Sequence, residues 1–92
     1  MRERLAELDA RVLAVLAPYQ SGNATYVIRN MLSWSNRPNF TPGLRTSDVL
    51  RSCRRLEKRG HVVEVPSVYA VMKEWAVTEA GRAALEGGGN AK

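Results

Sequence analysis

Between Thr46 and Val65 the chain changes its hydrophobic period once, and that change constrains the fold around it. Val49, Leu50, Cys53 and Leu56 recur at helical spacing, so a helix over 46–59 has one apolar face. Gly60 follows, where a helix end favours left-handed backbone. His61 to Val65 then alternates and is rich in valine, which reads as a strand. Leu56 is expected to pack into the core while Gly60 turns the chain into that strand.

The flanking segments complete the order. Residues 3–17 read as an amphipathic helix with Leu5, Leu8, Val12, Val15 and Leu16 on one face, supported by Glu7 four before Arg11 and stopped by Pro18. After the turn Tyr19 to Gly22, Asn23 or Ser21 is the expected cap of a second helix, 23–33, with Ala24, Val27, Ile28, Met31 and Leu32 on its apolar face. A loop rich in turn formers runs from Ser35 to Gly43, and Trp34 and Phe40 are expected to pin it to the core. Thr46 is the expected cap of the third helix, with Asp48 in its first turn. Met72 to Val77 returns as a second strand, closing a hairpin over 61–77. Thr78 caps a last helix, 78–86, and Gly87, Gly88 and Gly89 end it before a loose tail, 87–92.

A chain of 92 residues holds one core, so 1–92 reads as a single domain. Its class is mainly α with a small β-hairpin (α+β). Three helices with a hairpin directly after the third is the winged helix-turn-helix arrangement, here closed by a short C-terminal helix.

Charge singles out one segment. The formal net charge is +5. From Arg45 to Arg59 there are six basic residues against two acids, whereas the rest of the chain has eight against seven. Five of the six are arginine, which can read guanine bidentately and clamp phosphates. On a wheel of about 100° per residue, Ser47, Asp48, Arg51, Arg54, Arg55 and Lys58 lie opposite the apolar side. Basic charge gathered on one helix face is the footprint of a nucleic-acid binder. Ser47, Asp48, Arg51 and Ser52 are expected to reach base edges, with Arg45 and Thr46 at the same helix end. Arg54, Arg55 and Lys58 are expected to hold phosphates.

Leu56-Glu57-Lys58-Arg59-Gly60-His61-Val62-Val63-Glu64, followed by Trp75-Ala76-Val77-Thr78-Glu79-Ala80-Gly81-Arg82-Ala83-Ala84-Leu85, resembles bacterial winged-helix regulators of the PadR and MarR type over residues 44–86. The resemblance implies a recognition helix ending at Gly60, a wing, and transcription regulation through double-stranded DNA.

In the wing, Tyr69 and Lys73 are the candidate DNA contacts, and the alternative is that Val68, Tyr69 and Val71 pack on a partner. Asn36 and Arg37 read first as plain residues of a flexible loop, with a contact to an adjacent phosphate as the alternative. Cys53, on the apolar face, reads as a small buried hydrophobe, and His61 as a strand-entry residue. With one cysteine and one histidine the chain supplies no usual metal spacing, and no catalytic set or cofactor motif is present. The apolar run Val12 to Ala17 is too short for a membrane span or signal sequence, so a cytoplasmic, nucleoid-associated protein is expected. The function expected is a DNA-binding repressor of bacterial, phage or mobile-element origin, dimerising, if it does, through the first helix. The alternative is a winged-helix module for an acidic protein partner.

Overall fold

The computed structural model describes residues 6–34, 40–66 and 73–89. They form four helices and a three-stranded antiparallel sheet, a small α+β domain.

Helix α1 spans Glu7–Leu16, with Glu7 and Asp9 in a first turn that favours negative charge. Arg82 Nη1 donates to the Ala17 carbonyl at 2.7 Å, supplying a partner that the helix end lacks. The turn that follows reaches Gly22, whose φ of 89° lies in the left-handed region. A β-carbon there would also overlap the Trp75 carbonyl.

That close approach introduces a strand the sequence pattern does not signal. Asn23–Ala24 form β1, paired with Trp75 and Glu74, and helix α2 begins only at Thr25, running to Leu32. Neither Asn23 nor Ser21 caps it. The N-cap is Ala24 and no side chain does the capping. Instead, Thr25 donates both its backbone N–H and its Oγ1 hydroxyl to the Lys73 carbonyl, at 2.9 and 3.1 Å. The first backbone groups of the expected helix are drawn to an open sheet edge.

The loop after α2 is also held differently from expectation. Trp34 and Phe40 are 48% and 37% exposed. Backbone and charge do the pinning: Thr41 N–H donates to the Leu32 carbonyl at 2.7 Å, and Arg11 Nη1 to Thr41 Oγ1 at 3.0 Å. Arg29 Nε then holds the carbonyl of buried Leu44 at 3.2 Å. Asn36 and Arg37 lie outside the described residues.

Helix α3 spans Thr46–Lys58. Its N-cap is Arg45, so Thr46 is the first helical residue and not the cap. The Asp48 carboxylate reaches back to accept the Arg45 N–H at 3.0 Å. At the other end Gly60, with φ 80°, closes a Schellman motif: His61 N–H donates to the Leu56 carbonyl and Gly60 N–H to the Glu57 carbonyl, both at 2.9 Å.

Strand β2 is Val62–Val65 and β3 is Glu74–Val77, antiparallel, with Val62 opposite Val77 and Val65 opposite Glu74. The sheet order is β1-β3-β2. The hairpin tip and the expected strand start at Met72 lie outside the described residues. Helix α4 spans Glu79–Gly89. Thr78 Oγ1 caps it, accepting the Gly81 N–H at 3.0 Å, and donates to the Gly60 carbonyl at 2.6 Å. The three glycines do not end this helix at 86. Glycine weakens a helix by about 1 kcal/mol per residue, yet it adopts helical angles, and Gly87–Gly89 have no left-handed member.

The core gathers Val12, Leu13 and Leu16 of α1, Ile28, Met31 and Leu32 of α2, Val49, Cys53 and Leu56 of α3, and Val62 and Trp75 of the sheet. Trp75 is wholly buried and its Nε1–H is satisfied by Thr25 Oγ1 at 2.9 Å. The most apolar part of α1 is thus consumed inside the domain, leaving Leu8 and Val15 partly exposed.

Candidate nucleic-acid interface

Helix α3 buries Val49, Ser52, Cys53 and Leu56 and leaves Leu50 half-buried, so its solvent face is defined by what remains. Arg45, Thr46, Ser47, Arg51, Arg54, Arg55 and Lys58 are all exposed. On the helical wheel Ser47, Arg51 and Lys58 occupy the centre of that face. Arg54 flanks it on the hairpin side and Arg55 on the α1 side.

The centre of the face is lightly engaged. Among the described residues Arg51 pairs only with Asp48, itself held by the Arg45 N–H. Lys58 forms no ion pair with another described residue. Asp48, expected at a base edge, is occupied in this first-turn arrangement and is less exposed than Ser47 and Arg51.

The two flanks are braced. Arg54 Nη1 lies 3.1 Å from Glu57 Oε1 and 3.6 Å from Glu64 Oε1, and its guanidinium sits 5.1 Å from the Trp75 ring centre. Glu64 also takes Lys73 Nζ at 3.1 Å. The strand β2 carboxylate therefore ties α3 to the foot of β3 and neutralises the one described cation of the wing. On the other flank Arg55 Nη2 and Nε donate to the two carboxylate oxygens of Asp9, at 2.7 and 3.1 Å. This bond raises the already high pKa of Arg55, against a smaller opposing effect of burial.

Ser52 is corrected outright. It is 0% exposed, and its Oγ donates to Asp9 Oδ1 at 2.5 Å. A hydroxyl at the α1–α3 seam cannot meet a base edge. Tyr69 lies outside the described residues. Cys53 is buried as expected, and burial pushes its thiol up from 9.0 to about 12, with the Asp9 charge adding to the effect.

Asp9 is the residue the sequence reading missed. It is 1% exposed, a carboxylate in the interior, and it organises two residues of α3 at once. Its signal was present: Asp9 precedes Val12, Leu13 and Leu16 by three, four and seven positions, so it shares their helix face.

Among the described residues no cluster of three metal-binding side chains occurs, and no helix is long and apolar enough to cross a membrane. The surface on offer is a cationic helix face bordered by a hairpin, suited to a polyanion. No protein-family model and no curated protein matches the chain.

Proposed function

We propose that this chain is a winged-helix DNA-binding regulator that lays α3 in the major groove, with the hairpin β2–β3 as its wing. The observation that carries the reading is the face of α3. It exposes five arginines and lysines between Arg45 and Lys58 while burying Val49, Ser52, Cys53 and Leu56 of the opposite side. The hairpin directly after α3 supports the winged-helix assignment, and β1 adds a third strand that fastens α2 to the wing.

A groove about 12 Å wide admits such a helix, with a phosphate backbone on either side. Ser47 and Arg51 then face base edges from the helix's N-terminal half. Arg54 and Arg55 face the two backbones, and Lys58 makes a further phosphate contact. The protein acts by occupying an operator, as a repressor does. Dimerisation through α1 would draw on Leu8 and Val15, the apolar residues its own core leaves partly open.

The test is a titration of duplex DNA by fluorescence anisotropy across a salt series. Three phosphate contacts, through Arg54, Arg55 and Lys58, at about −0.9 each give a log–log slope near −3. A nearly flat response overturns the reading. It would favour the second one, a module for an acidic protein, which draws support from a wing whose Lys73 is paired and whose Val63 is exposed.

A further inference from the structure

We propose that Asp9 is a positioning residue for DNA binding, holding Arg55 so that the outer edge of its guanidinium meets one phosphate. The proposal rests on the DNA-binding reading above.

Three observations carry it. Asp9 is buried: it sits on α1 against the core, and its Oδ1 accepts from the buried Ser52 hydroxyl at 2.5 Å. Both of its oxygens are used on Arg55, through Nε and Nη2, so the guanidinium plane cannot turn. The Arg55 side chain nonetheless remains 49% exposed. Of the five N–H donors of an arginine, those on Nη1 and the second on Nη2 are not taken by Asp9. An arginine loose on a surface loses conformational freedom when it grips a phosphate. Arg55 has lost it on folding. Among the described residues the other paired arginines of α3 differ: Arg51 is held by a carboxylate on its own helix, and Arg54 is shared between two partly exposed glutamates.

This makes a prediction opposite in sign to simple charge counting. Asp9→Asn adds one positive charge to the protein, which by long-range attraction alone should tighten DNA binding. If Asp9 acts by orienting Arg55, the variant binds about tenfold more weakly instead, the usual worth of a charge-assisted hydrogen bond. Its salt slope also falls by about 0.9, one phosphate contact.

The experiment measures the full chain and its Asp9→Asn and Arg55→Lys variants on one random-sequence duplex in a KCl series. A thermal melt of each confirms that it is folded at the assay temperature. Arg55→Lys keeps the charge but offers a single ammonium that cannot hold Asp9 in two places and grip a phosphate as well. It too is expected to lose about tenfold. A folded Asp9→Asn protein that binds as tightly as the parent, or more tightly, overturns the proposal. Should Asp9→Asn fail to fold, an Arg55→Lys protein with unchanged affinity overturns it. Failure of the parent chain itself to bind DNA overturns the functional reading instead, so the two outcomes are distinct.

Discussion

The first turn of α4 runs so close to His61 that a β-carbon on Gly81 would overlap the His61 carbonyl oxygen and crowd Val77. Gly81 is helical, and glycine to alanine in a helix ordinarily stabilises by about 1 kcal/mol. Here the neighbour is backbone, fixed at both ends: His61 N–H is bonded to Leu56, and the His61 carbonyl takes the Thr78 N–H at 3.0 Å. The overlap cannot be relieved by a side-chain rotation. Gly81→Ala is therefore expected to destabilise by about 1–3 kcal/mol, lowering the melting temperature by several degrees. Gly43→Ala, with open space but a φ of 71°, provides the comparison, since its loss is confined to backbone strain of about 1 kcal/mol. A melt in which Gly81→Ala is as stable as the parent would show that α4 can move away from the hairpin.

Cys53 gives a pH dependence whose sign is fixed. Burial raises its thiol from 9.0 in the open chain to about 12 in the fold. The folded state thus holds this proton more tightly, and the corresponding stability is complete below pH 9.0 and is lost progressively toward pH 12. Alkaline unfolding should begin within that window. Cys53→Ala should be less stable than the parent at pH 7, for lack of a buried sulfur, and the gap should narrow above pH 9 in urea titrations. At pH 8 iodoacetamide should label the native chain only as fast as it opens, so that labelling accelerates with sub-denaturing urea. Rapid labelling of the native chain at that pH would contradict a buried, protonated thiol.

Helix α3 and the hairpin were legible because their signals are local. Val49, Cys53 and Leu56 keep one period, Gly60 marks its end, and the valines from Val62 to Val65 favour the extended strand that follows. Strand β1 was not legible, since two residues carry no period and Asn23–Ala24 are extended only because β3 offers an edge. The Thr46 cap failed for a related reason. Asp48 satisfies the Arg45 N–H from inside the helix and moves the boundary by one residue. At the site, charge and face could be read from spacing, but partners could not. Ser52 reads as a base contact from its polarity and its place in the helix's N-terminal half, and spacing has no knowledge of Asp9, whose carboxylate comes from a different helix 43 residues away. The same absence hid the bracing of Arg54 by Glu64, which needs the strand register to be seen.

That bracing predicts a gain of function. Glu64 takes both Arg54, at 3.6 Å, and Lys73, at 3.1 Å, and so neutralises two cations beside the proposed groove. Glu64→Gln removes one negative charge, releases Lys73 and leaves Arg54 with Glu57 as its one remaining carboxylate among the described residues. All three side chains are partly exposed, so the pairs themselves are worth about 0–1 kcal/mol and the fold should hold. Binding to random DNA should tighten several-fold at low salt, with a steeper salt slope, and the advantage should vanish at high salt. An unchanged slope would mean that neither cation reaches the DNA.

The centre of the face separates reading from gripping. Arg51 is the most exposed of the paired arginines on α3, at 64%, and Asp48 steadies it on the first turn. It is the side chain best placed for a bidentate contact to a guanine edge, which discriminates by about 1–3 kcal/mol. Lys58 lies two turns further along, near the helix end, where a major-groove helix leaves the bases and meets the backbone. On the preferred DNA sequence recovered by selection from a random pool, Arg51→Ala should lose tenfold or more, and on random DNA much less, so that the two affinities converge. Lys58→Ala should weaken both by the same factor and reduce the salt slope by about 1. If both variants lose equally on selected and random DNA, α3 grips the duplex without reading it, and sequence preference must come from elsewhere in the chain.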